Sequence, residues 1–461
     1  MQLTYLIFLK MAAEKEILLP PGCSWPELKA LNNSLLLEGD EDAEGKKLVK
    51  GYQDILRTLA KNSTPLLKEV FTGASSLFSK AVSLRRLIEL IDAETWSAMG
   101  VDVKGEIYEG LLEKAASEGK KGAGQYFTPR PLIRSIVRCM KPDPAERKDF
   151  AISDPACGTG GFLVAAYEWW AKTAREGKVD RALAKRVKES TYFGEEIGVD
   201  PRRMAVMNLL LHNVQPSITQ GDSIYEDPDP KRFDVVLTNP PFGTKGADAA
   251  PSRDDFIVET KNKQLNFVQH VMTMLRTGGR AAIVLPDNCL FADQAGDVFK
   301  ELMETCDVHT LLRLPRGTFT PYAQGVKANV IFLTKGSKTR RVWIYDGRTN
   351  VAGITKKGRP LIEGHFAAFE KCYGEDPNGG SKRKASDSAD DRWRSFDRAE
   401  VEKAGWKLDG LRWLKEDRED DGDELLEPED LLGELTSELE AALKGLSGIA
   451  EMLKTAEHGA A

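Results

Sequence analysis

The chain has 461 residues, a length that allows two or three domains. Its formal net charge of −6 at pH 7 is unusual for a protein that binds nucleic acid by itself. Its six cysteines and five histidines are scattered without paired or ligand-type spacing, so we expect a reduced, cytoplasmic protein without a metal site. No segment reaches the ~20 consecutive apolar residues of a membrane span, and the apolar residues 3–9 lack the flanks of a signal peptide.

The first 99 residues have the periodicity of helices. Residues 51–59, 65–71 and 83–91 are amphipathic, and strand-like runs are few. The sequence therefore predicts an N-terminal helical domain over residues 1–99.

Residues 100–346 alternate short apolar runs with helical segments. The predicted strands are 150–153, 191–194, 217–220, 233–238, 280–285, 308–314 and 328–334. This alternation is typical of a doubly wound α/β sheet, with the last two strands as an antiparallel hairpin at one end. Ligands of such sheets bind beyond the carboxyl ends of the strands, so the loops at that edge are the candidate site.

The predicted strand 150–153 leads into the glycine-rich segment Asp154-Pro-Ala-Cys-Gly-Thr-Gly-Gly-Phe-Leu163, and a helix is predicted over 164–174. A strand, a glycine turn and a helix let bare backbone approach a nucleotide-like ligand. A glycine cluster alone is more often only a tight turn, but the flanking residues make this pattern specific. We interpret Cys157 as a small packing residue, because free cysteine is commonly buried.

The apolar strand 233–238 ends in Asn239-Pro240-Pro241-Phe242. Two prolines offer carbonyls but no N–H groups, and Asn239 adds a side-chain carbonyl. Acceptors can therefore converge on an amino group of a planar ring while Phe242 stacks on that ring. The alternative interpretation is a strand that simply ends in a proline turn.

The rest of the chain is predicted to be less regular. We expect an irregular extension over residues 347–415, with a mobile polar loop over 372–391, and an acidic linker and C-terminal docking helix over 416–461. Apolar residues of that helix follow a heptad spacing, at Leu432, Leu435, Leu439, Ala442, Leu446, Ile449 and Leu453. Docking of a partner and packing against the chain's own body both remain open.

With the upstream segment Gly124-Gln-Tyr-Phe-Thr-Pro-Arg130, the glycine motif and Asn-Pro-Pro-Phe resemble the motifs of S-adenosylmethionine-dependent DNA amino-methyltransferases, in the order typical of an adenine-N6 group. Segments 204–213, 278–287 and 314–321 resemble the modification subunit of type I restriction–modification systems. The resemblance implies a Rossmann-like methyltransferase sheet over 100–346, between the N-terminal helical domain and a C-terminal helical tail. Members usually precede a helix like residues 3–11 with another, so we expect either that the N-terminal domain lacks its first helix or that the start codon has been assigned too late.

The resemblance implies S-adenosylmethionine as the cofactor. Residues implied to bind it are Gln125, Tyr126, Phe127, Thr128, Pro129, Arg130, Asp154, Gly158, Thr159, Gly160, Gly161, Glu196 and Asp222. Among them, Glu196 would accept hydrogen bonds from the ribose hydroxyls, and Asp222 would pair with the adenine of the cofactor. Thr128 would cap the amino-acid end.

The catalytic residues that the resemblance implies are Asn239, Pro240, Pro241 and Phe242. Methyl transfer from a sulfonium needs mainly placement, but the adenine amino group is a poor nucleophile because its lone pair is delocalised. Acceptors from Asn239 and the Pro240 carbonyl would hold the amino hydrogens and stabilise the charge that develops. Phe242 would stack on a base flipped out of the duplex.

The implied partners are DNA, one specificity subunit for every two chains like this one, and a restriction or translocase subunit.

Three alternatives to an adenine-N6 DNA methyltransferase remain open. Cytosine-N4 methyltransferases use the same geometry but usually begin the tetrapeptide with Ser or Asp. Protein-glutamine methyltransferases share Asn-Pro-Pro followed by an aromatic residue, and a non-catalytic assembly subunit of a defence complex would need neither motif.

Overall fold

A computed structural model describes residues 2–34, 41–96, 128–175, 179–228, 230–242, 249–320, 326–348, 353–355, 358–384 and 391–414. Met1–Arg412 form one compact unit. The predicted acidic linker and docking helix over 416–461 lie outside the described residues, as do Gln125, Tyr126 and Phe127.

The N-terminal region is helical, as predicted. Its helices are α1 (Gln2–Glu14), α2 (Trp25–Ser34), α3 (Glu41–Asn62), α4 (Pro65–Phe71) and α5 (Ala81–Asp92). Every residue of α1 from Thr4 to Leu9 is buried, so this helix lies at the centre of the group rather than on its surface.

Asp92, the last residue of α5, connects three helices of this group. Its carboxylate accepts a hydrogen bond from Trp25 Nε1 at 2.9 Å and pairs with Lys10 at 3.3 Å and with Lys29. Burial opposes ionisation, but the hydrogen bonds from Lys29, Trp25 and Lys10 outweigh it and lower the pKa of Asp92 to about 2. The helical domain is therefore held together by one charged group as well as by its apolar core.

One mixed sheet of nine strands organises the rest of the compact unit. The strands are β1 (Ile152–Asp154), β2 (Tyr192–Glu196), β3 (Ser217–Gln220), β4 (Phe233–Thr238), β5 (Leu275–Pro286), β6 (Cys306–Arg313), β7 (Ala328–Lys335), β8 (Arg341–Asp346) and β9 (Trp393–Asp397). Their order is β3-β2-β1-β4-β5-β7-β6-β8-β9. The neighbours from β3 to β5 pair in parallel, and β7 is antiparallel to both β5 and β6.

Helices cover this sheet. They are α6 (Arg130–Met140), α7 (Gly161–Arg175), α8 (Arg181–Glu189), α9 (Val199–Leu211), α10 (Lys263–Met274), α11 (Asp287–Phe291), α12 (Ala295–Thr305), α13 (Ala367–Tyr373) and α14 (Arg398–Lys403). All six residues of β4 are buried, so both faces of the central strand are covered, as in a doubly wound sheet. None of the helices in the described part of the chain is long and apolar enough to cross a membrane.

Two predictions about the far edge of the sheet are wrong. Strands β6 and β7 do pair antiparallel, but they do not end the sheet, because β8 pairs in parallel with β6 and β9 pairs with β8. Strand β9 lies in the segment expected to be irregular, where Trp393 stacks on Trp343 with ring centroids 5.1 Å apart. Long-range pairing and this contact stabilise a strand whose own sequence is largely polar.

The loop predicted over 372–391 is also partly ordered. Tyr373 is fully buried, and the Arg383 guanidinium lies 4.9 Å from the centroid of its ring. Arg383 also donates to Thr310 Oγ1 at 2.9 Å. The prediction of mobility is therefore wrong for residues 372–384. The polar composition of this segment predicts that Arg383 is exposed to solvent, but its side chain packs onto the sheet.

The N-terminal domain contacts the sheet through α9, the helix that follows β2. Arg202 on α9 pairs with Glu69 of α4 at 2.6 Å and donates through Nε to the carbonyl of Ile218 in β3 at 2.8 Å. The neighbouring Arg203 donates to the carbonyl of Thr72. The helical domain is thus attached beside the two strands whose ends carry Glu196 and Asp222.

Candidate active site

The strand ends bring three of the predicted segments to one edge of the sheet. In the register, Asp154 of β1 lies beside Gly194 of β2, and Glu196 lies beside Gln220 of β3. Strand β4, which ends immediately before Asn239, pairs with the other side of β1. Residues far apart in sequence therefore face one region, at the place where open α/β sheets bind ligands.

The glycine loop makes room at this edge. Gly158 has φ +53°, and a Cβ there would have no atom within 4 Å, whereas at Gly160, with φ +80°, a Cβ would lie 3.3 Å from Ala205 Cβ. Thr159 is held by its carbonyl, which accepts from Asn208 Nδ2 at 3.3 Å. Gly161 begins α7. The loop is packed against α9 at Gly160 and open at Gly158, so Gly158 is where a ligand can approach the backbone.

Glu196 ties the glycine loop to the end of β2. One carboxylate oxygen accepts from the Gly158 amide at 2.9 Å, and the other accepts from the Gly198 amide at 2.8 Å. Burial raises the pKa of Glu196, although these two amide hydrogen bonds lower it in part. The two oxygens of a carboxylate offer about four acceptor positions in all, so Glu196 has the chemistry to accept from ligand hydroxyls in addition to these amides.

Asp154 is the most deeply buried carboxyl of this edge, with 1% of its surface exposed. It accepts from the Ala156 amide at 3.1 Å. Burial raises the pKa of Asp154 to about 7, and the nearby Glu196 adds to the increase. A cationic group bound beside it would favour its charged form.

Asp222 follows β3 and is half-buried. Its Oδ1 accepts from the Ile224 amide at 3.3 Å, so it caps the turn after the strand. Ile197, next to Glu196, has 60% of its surface exposed. A flat ring bound between these strand ends would cover Ile197. We did not predict a role for this residue, although its place directly after the acidic residue of β2 is a signal in the sequence.

The amide of Asn239 is oriented by one hydrogen bond. Its Nδ2 donates to Thr128 Oγ1 at 2.8 Å. Its Oδ1 is buried and has no hydrogen-bond partner among the described residues. A buried carbonyl oxygen without a hydrogen-bond partner costs free energy, and a donor on a bound substrate would remove that cost. We therefore expect this oxygen to contact the substrate.

The two prolines and Phe242 complete this segment. Pro240 is buried, and the Pro241 carbonyl accepts from Gln264 Nε2 at 3.1 Å. Phe242 has only 7% of its surface exposed and packs edge to face against Phe319, with ring centroids 5.2 Å apart. Its ring is thus covered rather than openly presented. Phe319 was not predicted as a site residue, although the segment 314–321 that contains it was singled out.

Two residues of the upstream motif, Arg130 and Thr128, contact the start of α7 after the glycine loop and the Asn239 segment. Pro129 caps α6, and Arg130 donates to the Gly161 carbonyl at 3.4 Å, while Thr128 contacts Asn239.

Cys157 is buried, and burial raises the pKa of its thiol well above the usual value, which fits a packing residue rather than a nucleophile. No cluster of metal-ligand side chains occurs in the described segments.

Comparisons with known proteins agree on one family. The family described as N-6 DNA Methylase matches residues 99–421. The type I restriction enzyme StySJI methylase subunit of Salmonella typhimurium is 35% identical, over 97% of this chain and 90% of its own length. The EcoKI methylase subunit of Escherichia coli matches with the same identity and coverage.

Solved structures give the same picture. The crystal structure of the EcoKI M protein matches with a TM-score of 0.57 and 31% identity, over 98% of this chain and 91% of that one. A modification subunit of a putative type I restriction enzyme from Vibrio vulnificus has a TM-score of 0.65 at 24% identity, over 87% of each chain, which supports the fold.

Proposed function

Because this chain belongs to the N-6 DNA methylase family, as a type I restriction enzyme methylase subunit, we propose that the edge just described transfers a methyl group from S-adenosylmethionine to N6 of adenine in DNA. The observation that carries this assignment is the buried Oδ1 of Asn239, which has no hydrogen-bond partner among the described residues. It lies at the end of the strand next to the glycine loop, where a donor on a substrate can reach it.

The residues around the glycine loop fit S-adenosylmethionine. The space in front of Gly158 allows close approach of a ligand to the backbone, and the carboxyl of Asp154 suits the ammonium of an amino acid group. Glu196 would accept from the ribose hydroxyls, and Asp222 from the adenine amino group, with Ile197 against the adenine ring. When bound, the cofactor supplies an electrophilic methyl group, so the protein has mainly to place the two reactants.

Asn239 and Pro240 supply the electrostatics of the reaction. The Asn239 Oδ1 and the Pro240 carbonyl would each accept one hydrogen of the target amino group. Both acceptors become more favourable as positive charge develops on that nitrogen, so they stabilise the transition state more than the ground state. After transfer, the nitrogen loses a proton to solvent, and no strong general base is required.

Phe242 would receive the target base, and the buried Phe319 would support its ring. A base inside a duplex cannot reach the end of β4, so it has to be flipped out. The base would lie along Phe242, and the edge-to-face contact with Phe319 would hold that ring in place. Base–aromatic stacking contributes about 1–3 kcal/mol per base.

The proposed assembly contains DNA, two chains like this one, one specificity subunit, and a restriction or translocase subunit, in the cytoplasm. The net charge of −6 supports leaving much of the DNA contact to a partner. Residues between the sheet and the C-terminal tail are few, and no recognisable DNA-reading motif occurs in their sequence.

The test uses Asn239→Ala in the complex with the specificity subunit. We expect methylation to fall by at least about a hundredfold, with cofactor affinity measured by calorimetry within about threefold, because Asn239 and the glycine loop lie on different strands. Gly158→Asp should instead abolish cofactor binding.

Asn378→Ala, an exposed asparagine, is the matched control and should behave as the unchanged chain. Nucleoside analysis of DNA labelled from tritiated S-adenosylmethionine identifies the product. N4-methylcytosine, or full activity of Asn239→Ala, would contradict the proposal.

A further inference from the structure

Thr128 belongs to the upstream motif, for which only cofactor contacts were predicted, yet its hydroxyl contacts the segment proposed for catalysis. Asn239 Nδ2 donates to Thr128 Oγ1 at 2.8 Å across 111 residues of sequence. Thr128 is half-buried and lies directly before Pro129, which caps α6. The rigid start of a helix therefore holds one end of the Asn239 amide.

The two ends of an asparagine amide differ chemically, since Nδ2 can only donate and Oδ1 can only accept. Turned by half a rotation, the amide would present N–H groups to an amino group that is itself a donor. The hydrogen bond to Thr128 occupies Nδ2 and leaves Oδ1 buried without a partner among the described residues. The orientation in the structure is thus the one that an amino group requires. Because a threonine hydroxyl can also donate, the hydroxyl anchors one end of the amide, and a donor on the substrate selects Oδ1 as the other end.

We propose that Thr128 is a positioning residue, whose hydroxyl oxygen holds the Asn239 amide with Oδ1 towards the target amino group. This inference rests on the proposed function. It adds that the upstream motif takes part in recognising the amino group as well as in binding the cofactor. A side chain without an acceptor at this position leaves Nδ2 buried without a partner, and the amide is then free to rotate.

The test compares Thr128→Val, which keeps the shape but has no acceptor, with Thr128→Ser, which keeps the hydroxyl. Binding is measured for the complex with the specificity subunit, with S-adenosylhomocysteine at saturation, on DNA carrying adenine or purine at the target position. Purine lacks the amino group. The cost of opening each base pair is the same for both variants, so it cancels when preferences for adenine over purine are compared.

We expect Thr128→Val to reduce the preference for adenine over purine by roughly tenfold, the effect of losing a well-oriented hydrogen bond. Its kcat should fall by about tenfold to a hundredfold, and Thr128→Ser should restore both quantities to within about threefold. Asn239→Ala should reduce the preference at least as much as Thr128→Val does, and the double variant should lose no more than Asn239→Ala alone.

A preference that is unchanged in Thr128→Val but reduced in Asn239→Ala would overturn the positioning role and leave the proposed function standing. An unchanged preference together with full methylation in Asn239→Ala would overturn the proposed function itself. If Thr128→Val unfolds, as its thermal transition would show, Thr128→Ala gives the same comparison, because alanine also lacks an acceptor.

Discussion

At the scale of single residues, Asp154 shows how a buried carboxyl can be costly to the fold and useful to the site. It is almost inaccessible to solvent, and burial raises its pKa to about 7. A group with this property would be a poor choice for stability alone. Beside a proposed binding site for an amino acid group, it favours a ligand that brings a positive charge.

The raised pKa predicts how stability depends on pH. Between the usual pKa of 3.8 and about 7, the folded chain keeps a proton on Asp154 that the unfolded chain has released. The contribution of Asp154 to stability therefore decreases as the pH rises through this interval, and it changes little above it. Asp154→Asn removes this dependence.

Thermal unfolding of the ligand-free chain between pH 5 and 8 measures this effect. The melting temperature of Asp154→Asn relative to the unchanged chain should increase with pH up to about 7, because only the unchanged chain loses its proton. The affinity for S-adenosylmethionine should rise with pH over the same interval in the unchanged chain. A constant difference between the two melting temperatures would contradict the buried, protonated carboxyl.

At the scale of elements, the glycine loop divides its two roles between two positions. Both Gly158 and Gly160 have positive φ, but only Gly160 approaches a neighbouring helix, at Ala205 of α9. Helix α9 is in turn attached to the N-terminal domain through Arg202 and Glu69. Packing is therefore expected to depend on Gly160, and ligand approach on Gly158.

A pair of matched variants tests this division. Gly158→Ala and Gly160→Ala should each cost about 1–2 kcal/mol in the free energy of unfolding, because alanine is strained at positive φ. Gly160→Ala should cost more than Gly158→Ala, since its Cβ also meets Ala205. Gly158→Ala should weaken cofactor binding more than Gly160→Ala does, although Gly158→Ala has the smaller cost in the free energy of unfolding.

Urea denaturation gives the two free energies of unfolding, and calorimetry gives the two affinities for S-adenosylmethionine. Equal stability together with equal affinity in both variants would show that the loop does not separate packing from ligand approach.

At the scale of the whole molecule, we propose that the C-terminal tail, residues 416–461, is the joint with the specificity subunit. The compact unit ends at Arg412, and the heptad residues lie beyond it in sequence. Deleting residues 429–461 should therefore leave cofactor binding intact but abolish both assembly with the specificity subunit and site-specific methylation. An apolar heptad seam is a common way to dock a partner helix.

Two point variants separate the seam from the rest of the tail. Leu439→Lys changes a heptad position, whereas Glu440→Lys introduces the same side chain beside it. Co-purification with the specificity subunit, followed by mass determination of the complex, should show loss of assembly only in Leu439→Lys. Sequence-specific methylation by the chain without its partner would contradict this division of labour.

The amino-acid sequence by itself determined the family, the reaction and the central strands. Residues 217–220 and 233–238 were predicted as strands with the bounds that the structure has. The identification as an adenine-specific DNA methyltransferase of the type I family is confirmed by the family match and by the relatives. These features are local, since short apolar runs and contiguous motifs carry their meaning within about ten residues.

Only the tertiary structure decided the far edge of the sheet and the contacts inside the site. Strand β9 exists because it pairs with β8, and its own sequence does not predict it. The hydrogen bond from Asn239 to Thr128 and the ring contact of Phe242 with Phe319 join segments far apart in the chain. Such contacts depend on how whole elements pack, which no local pattern records, because the energy that selects them comes from burial and long-range pairing.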